Sequence, residues 1–423
     1  MKNFFYKFGL VLQDKALRTR ILFTLGALVV FRFLAIIPIP GVDQTALSSL
    51  FANNEFLGLL NLFSGGGLSQ LSIVMLGVGP YITGSIIMQL LTVMSSRMKE
   101  MYQEEGDAGR RKFAQYGRML AIPFALIQGF SLIKLLESQN VIAALTPFDL
   151  MVNLVVITAG SMLLMWIGEL ITEYGIGNGV SLIIFAGIVS QLPTAISQLF
   201  YVFDPAQLPL YLLFAVVALV VIVLVVVVTE AERPIPVTYA KQVRGMKVYG
   251  GASTYLPLRM NQAGVMPIIF GSSILLFPQI ISQFLANVDY PAIKNAASAV
   301  NSFISNGWVY AIAYFLLVFI FTYFYTAVTF DPDQISKNLQ KNGAFIPGIR
   351  PGVPTADHIA KTLTRLTLVG ALFLGVIAVL PLIIRGVTGI TAISVGGTAL
   401  LITVSVVIDL IKKIDAQVSI REY

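Results

Sequence analysis

The sequence predicts an all-α, polytopic membrane protein: ten transmembrane helices in two inverted, pseudo-symmetric five-helix halves around a central pore. Three observations predict it. First, the 423 residues are 57% hydrophobic and 12% charged, with a mean hydropathy of +0.83. Soluble domains carry about 25% charged residues, and a water-soluble fold of this size cannot hide so much apolar surface. Second, ten apolar segments are long enough to cross a hydrocarbon core of about 30 Å. Third, "GVGPYITGS" at 77–85 recurs as "GVMPIIFGS" at 264–272, with six of nine positions identical at an offset of 187 residues.

In order, the segments run 21–37, 71–94, 119–136, 150–170, 181–199, 208–228, 263–285, 308–330, 366–384 and 390–411. The sixth, with "LYLLFAVVALVVIVLVVVV", is the plainest. The second is interrupted by Gly77, Gly79, Pro80 and Gly84. An even number of spans puts both termini on one side. With that side cytoplasmic, 24 of the 28 Lys and Arg residues are cytoplasmic, and only Arg32, Lys134, Lys294 and Arg385 lie at or near the opposite face. Positive charge concentrates in cytoplasmic loops as the orientation signal, so the formal charge of +7 calls for no nucleic acid. The first apolar run ends in "IPIPG" with no small-residue cleavage site, which reads as a retained span.

Three connections exceed simple turns. Residues 38–70 lie outside; 229–262 and 331–365 lie inside and are basic. Their Pro-Gly patterning, "ERPIPVTYA" and "FIPGIRPGVP", argues for ordered, protruding loops. The expected division is an N-terminal half, 1–200, with spans one to five, and a C-terminal half, 201–423, with spans six to ten and both basic loops.

Five spans per half is odd, so the second half enters from the opposite side. The matching passages open spans two and seven, the second span of each half. Pro has no N–H to donate and Gly exposes backbone. In lipid, such backbone is tolerated only against other protein or a water-filled cavity. Paired interruptions of this kind mark the centre of a transport fold. The same Gly and Ser also suit close helix packing by itself.

The spans are almost uncharged. Arg32 lies near the outer end of span one, where it could snorkel, and Glu169 and Asp409 lie near the cytoplasmic ends of spans four and ten. Ion-coupled transporters carry charge at mid-depth, so a secondary transporter for a small solute is the weaker reading. The large cytoplasmic loops, which a solute carrier does not need, point the same way. An aliphatic path excludes ions by dewetting. It has no chemistry to recognise a small solute, but it could grip something large, variable and deformable.

Enzyme chemistry finds no footing. There is no cysteine and one histidine, His358, so thiolate sites and His-rich metal clusters are excluded. "GIGNGV" at 175–180 imitates a dinucleotide loop but joins two spans with no strand before it. His358 reads as a surface residue of a Pro-rich loop. No catalytic residue, cofactor or metal is expected, and energy for directional movement must come from a partner or a gradient.

Five passages carry a resemblance when taken in this order and spacing: "NLFSGGGLSQLSIVMLGVGPYITGSIIMQLL" at 61–91, "ITEYGIGNGVSLIIFAGIV" at 171–189, "ERPIPVTYAKQ" at 232–242, "NQAGVMPIIFGSSILLFP" at 261–278 and "FIPGIRPG" at 345–352. Over nearly its whole length the chain resembles the SecY family, the channel subunits of Sec protein translocases. The resemblance implies an hourglass channel in a clamshell of two halves. It conducts unfolded polypeptide and releases transmembrane segments sideways into the bilayer. The pore ring falls on Val78, Ile82, Ile184, Ile188, Ile269 and Ile402, with Val78 where Ile is commoner. A short plug helix maps to about 60–72, including Asn61, Leu62, Phe63, Ser64, Gly65, Gly66, Gly67 and Leu68. The lateral gate maps to Thr83, Ser85, Ile86 and Gln89 of span two, and to Phe270, Ser272 and Ser273 of span seven. Arg350, Lys241 and Arg244 are implied to dock the motor ATPase SecA or the ribosome. The further implied partners are SecE, SecG, preprotein signal sequences and membrane lipids. The implied location is the inner (plasma) membrane, with both termini cytoplasmic.

Overall fold

The first helix, α1 (Lys15–Ile36), starts where the Asp14 carboxylate accepts the backbone N–H groups of Ala16 and Leu17 at 2.8 and 3.4 Å. That cap satisfies donors a helix start otherwise leaves unpaired. The computed structural model describes residues 14–39, 61, 64–138, 141–143, 145–201, 208–239, 242–244, 247–249, 253–286, 295, 298, 300, 306–388 and 396–419. The first half continues with α2 (Gly79–Met94), α3 (Ser96–Gln103), α4 (Gly106–Ser138), α5 (Pro147–Tyr174) and α6 (Gly179–Tyr201). In the second half, α7 (Leu208–Glu230) leads into strands β1 (Glu232–Tyr239), β2 (Gln242–Arg244), β3 (Lys247–Tyr249) and β4 (Ser253–Arg259). Then follow α8 (Met266–Ala286), α9 (Gly307–Thr329), α10 (Pro332–Lys341), β5 (Ala344–Phe345), α11 (Val353–Thr388) and α12 (Gly396–Ser419).

Among the described residues, six helices are long and apolar enough to cross a membrane: α1, α4, α5, α7, α9 and α11. α2, α6 and α8 carry shorter apolar stretches. The predicted segments overlie helices, but several boundaries move. Segment 71–94 becomes a helix only from Gly79, because 64–78 is spent in turns. The remaining 16 residues of α2 rise about 24 Å, short of the bilayer core. Segment 366–384 belongs to a helix that already begins at Val353, so His358 sits on an exposed helical face and not in a loop.

Alongside the helices stands a small sheet, where the sequence predicted ordered loops. The basic loops after α7 and α9 fold together as an antiparallel sheet in the order β4-β1-β5. β1 alternates, with Ile235 and Val237 buried, and they pack with Leu258, Ala344, Ile346 and Ile359 in a small core. β1 tolerates Pro234 and Pro236 because β5 pairs only with Thr238 and Tyr239, leaving one edge free at the prolines. The 331–365 loop also holds α10, N-capped by Asp331, whose carboxylate accepts from Asp333 and Gln334.

The main contacts between the halves fall in two places. α2 and α4 meet α8, and α2 also meets α9; separately, α6 meets α12. The largest apolar cluster runs through both halves.

Candidate functional site

The repeated passage folds the same way twice. Gly77 and Gly264 both take left-handed backbone, at φ 58° and 60°. Two residues after each, a helix begins at the same 187-residue offset, α2 at Gly79 and α8 at Met266, with Pro80 and Pro267 in the first turn. A proline there costs no hydrogen bond, since the first N–H groups are unpaired anyway. The carbonyl of each left-handed glycine accepts a side-chain donor. The Ser161 hydroxyl of α5 donates to Gly77 at 2.7 Å, and the Asn261 amide donates to Gly264 at 3.1 Å. Buried backbone away from water needs such partners. The later glycine of each copy packs a helix pair: a Cβ at Gly84 would lie 2.8 Å from the Gly117 carbonyl oxygen of α4, and one at Gly271 would lie 3.1 Å from Val318 Cγ2 of α9. The first glycine of each copy therefore makes a turn, and the later one serves the close helix packing that the sequence suggested.

The six residues implied to form the ring come from four helices. Val78 caps α2 and Ile82 lies on it, Ile184 and Ile188 lie on α6, Ile269 on α8 and Ile402 on α12. All six are buried, none more than 7% exposed, within one contiguous apolar cluster. Their helices include two of the pairs through which the halves touch, α2 with α8 and α6 with α12.

The residues implied for the gate lie on α2 and α8. Thr83, Ile86, Phe270, Ser272 and Ser273 are buried. Phe270 is edge-on to Phe321 and Tyr325 of α9, at 6.1 and 5.8 Å between centroids. Gln128 of α4 donates to the Thr83 hydroxyl at 3.3 Å. Ile82, Ser85, Gln89 and Phe270 line a cavity of about 660 Å³, whose wall also holds Arg118, Glu169 and Glu173. Arg118 Nε bonds Glu169 Oε1 at 2.5 Å, joining α4 to α5.

Of the residues implied for the plug, Leu62 and Phe63 lie outside the described residues. Residues 64–71 form consecutive turns where a short helix was expected. Gly65 and Gly66, at φ 64° and 85°, explain the difference. Asn61 and Ser64 close the turn: Asn61 Oδ1 accepts from Ser69 N at 2.9 Å and Ser64 Oγ from Leu68 N at 3.0 Å. Leu68 is fully buried in a cluster with Leu71, Met75 and Ile133.

At the exposed tip that carries Arg350, Gly348 and Gly352 turn the chain at φ 81° and 100° on either side of it. Two buried hydroxyls hold this tip. Thr355 donates to the Arg350 carbonyl at 2.8 Å, and Ser336 of α10 donates to the Gly352 carbonyl at 2.6 Å. Lys241 lies outside the described residues, and of Arg244 only the backbone, in β2, is described.

Three residues that matter to this architecture escaped sequence reasoning: Ser161, Asn261 and Gly187, where a Cβ would collide with the Gly65 backbone. Asn261 stands three residues before Gly264 and could have been suspected as its partner. The others act across long sequence separations. Arg32, expected to snorkel, instead donates to the Gly65 carbonyl at 3.2 Å.

The SecY family model matches residues 72–411. The chain is 43% identical to protein translocase subunit SecY of Mycobacterium leprae over 432 residues, covering 97% of each chain. It is 41% identical to the same subunit of Thermotoga maritima, covering 96% of this chain and 94% of that one. Among solved structures, one described as a protein conducting channel aligns with TM-score 0.66 at 19% identity, over 96% of this chain and 93% of that chain. Sec61 in a canine ribosome-channel complex aligns with TM-score 0.64 at 19% identity, over the same shares.

Proposed function

This chain belongs to the SecY family, the channel subunits of protein translocases, and we propose that it passes unfolded polypeptide through the apolar ring between its halves. The observation that supports this is that Val78, Ile82, Ile184, Ile188, Ile269 and Ile402 all lie buried in the large apolar cluster that runs through both halves. These side chains come from four helices and from both halves. Branched aliphatic groups offer a translocating chain no hydrogen bond and no charge, so they discriminate little among sequences. The same groups exclude ions by dewetting.

The halves, 1–200 and 201–423, open as a clamshell at the α2–α8 contact, while the α6–α12 contact acts as the hinge side. An apolar segment in the channel then meets lipid between α2 and α8 and leaves sideways. Ser85, Gln89, Ser272 and Ser273 give that seam a polar minority that weakens its closed form. The conduit itself is passive. SecA or the ribosome supplies the push, docking on Arg350 with Lys241 and Arg244. SecE and SecG are the small membrane partners, and the complex sits in the inner membrane with both termini cytoplasmic.

A photoreactive residue at Ile188 or Ile402 tests the reading. In proteoliposomes with SecA, a precursor stalled midway should crosslink to both positions and not to a matching probe at the exposed Leu219 of α7. Equal labelling at all three sites would overturn the assignment.

A further inference from the structure

We propose that Arg32 of α1 and Gly187 of α6 form a seat that positions the 64–68 turn in the resting channel, one as latch and the other as socket. The proposal rests on reading that turn as the plug.

Three surfaces meet the turn. Phe31, fully buried, presents its ring to Gly65, where any Cβ would collide with it. Its neighbour Arg32 donates from Nη1 to the Gly65 carbonyl at 3.2 Å and lies 3.6 Å from where a Cβ on Gly66 would stand. From the other side, Gly187 of α6 approaches so closely that a Cβ there would run into the Gly65 backbone itself. Gln191, one helical turn along the same face, lies 3.3 Å from the Gly66 Cβ position. Gly187 stands between Ile184 and Ile188, so the socket adjoins the ring.

The turn is rigid in itself, through the Asn61 and Ser64 bonds described above. Leu68 anchors its far end beside Leu71, Met75 and Ile133, and its hold on α1 and α6 fixes the end that carries Gly65 and Gly66. A hydrogen bond from a charged donor shifts an equilibrium by a factor of about ten to a hundred. A guanidinium is also the side chain whose fixed fork loses least freedom in making that bond. In a span otherwise without charge, this use of Arg32 gives it a task that snorkelling alone would not.

The two residues can be perturbed independently. Arg32→Met keeps length and apolar stem but removes every donor. It removes a positive charge from the outer side, which strengthens the orientation signal instead of opposing it. Gly187→Ala inserts one methyl between α6 and the turn, and because Ala favours a helix more than Gly, any loosening comes from the contact. The experiment is the resting conductance of the purified translocase complex in planar bilayers without precursor. Both variants should raise the open fraction about ten-fold or more, with Arg32→Lys in between. As a second readout, Ser69→Cys places a thiol on the turn in a chain with no other cysteine. It should react with an impermeant maleimide faster by a similar factor on either background. If both variants stay silent and unreactive while Ile82→Asn with Ile269→Asn leaks, the seat is wrong and the ring stands. If the ring variants are silent too, the pore reading falls and the seat with it.

Discussion

Gly84→Ala should destabilise the protein more than Gly271→Ala, although the two glycines hold equivalent places in the repeat. A Cβ at Gly84 would meet the Gly117 carbonyl oxygen at 2.8 Å, Ala121 N at 3.3 Å and Leu120 Cβ at 3.4 Å. Two of these three are α4 backbone and cannot rotate away, so α2 must withdraw bodily from α4. At Gly271 the nearest atom is Val318 Cγ2 at 3.1 Å, with Tyr314 Cε2 and Val318 N at 3.4 Å. There a small side-chain adjustment suffices. Overpacking against rigid surroundings costs about 1–3 kcal/mol, while Gly to Ala returns about 1 kcal/mol through helix propensity at either site. The propensity gain is common to both, so the difference isolates the contact. Gly84→Ala should be the less stable by about 1–2 kcal/mol. The assay titrates each variant in mild-detergent micelles with a denaturing detergent and follows helix content by circular dichroism. Equal midpoints, or the reverse order, would refute the reasoning.

Three further outcomes are expected. Arg350→Glu should leave the chain inserted but abolish stimulation of SecA ATP hydrolysis by proteoliposomes with an unfolded precursor, and Arg350→Lys should be tolerated only in part because the planar fork is lost; stimulation at the wild-type level would leave Arg350 as an orientation charge. Cysteines at Ile86 and Ser273, in a chain that has none of its own, should crosslink; a minimal crosslink should block export and a long flexible one should not, whereas equal export with both would mean the halves do not part there. Ser161→Ala leaves the Gly77 carbonyl without its donor, at a cost of about 1–3 kcal/mol, read in the same detergent titration; an unmoved midpoint would show that another group takes over.

Periodicity and composition carry far in a chain like this because lipid enforces them. The helix of α1 and the featureless apolar run of α7 could be read directly from hydropathy. The two matching passages could be read as one device because a left-handed glycine before a helix-starting proline is a local signature. Hydropathy misplaced the start of α2, since residues 71–78 are as apolar as a helix and only φ at Gly77 shows the turn. It also missed the sheet, in which β1 pairs with β4 of its own loop and, through Thr238 and Tyr239 alone, with β5 of a loop more than 100 residues further on. The ring positions came from likeness to a family, not from pattern, because Ile82, Ile184 and Ile402 sit among dozens of equivalent aliphatics. Arg32 was the opposite case. Its oddity was visible, but its partner, 33 residues away in a Gly-rich turn, was not.

The central claim is that one buried aliphatic ring both conducts polypeptide and seals the membrane. The most direct measurement is ion conductance through the reconstituted complex after Ile82→Asn, Ile269→Asn and their combination. These residues occupy equivalent places in the two copies of the repeat and share one apolar cluster, and an amide at each lets water bridge the constriction. The account predicts resting conductance that rises in each single variant and further in the double, together with export of precursors whose signal sequences are defective. Conductance unchanged in all three, with normal protein levels, would contradict it.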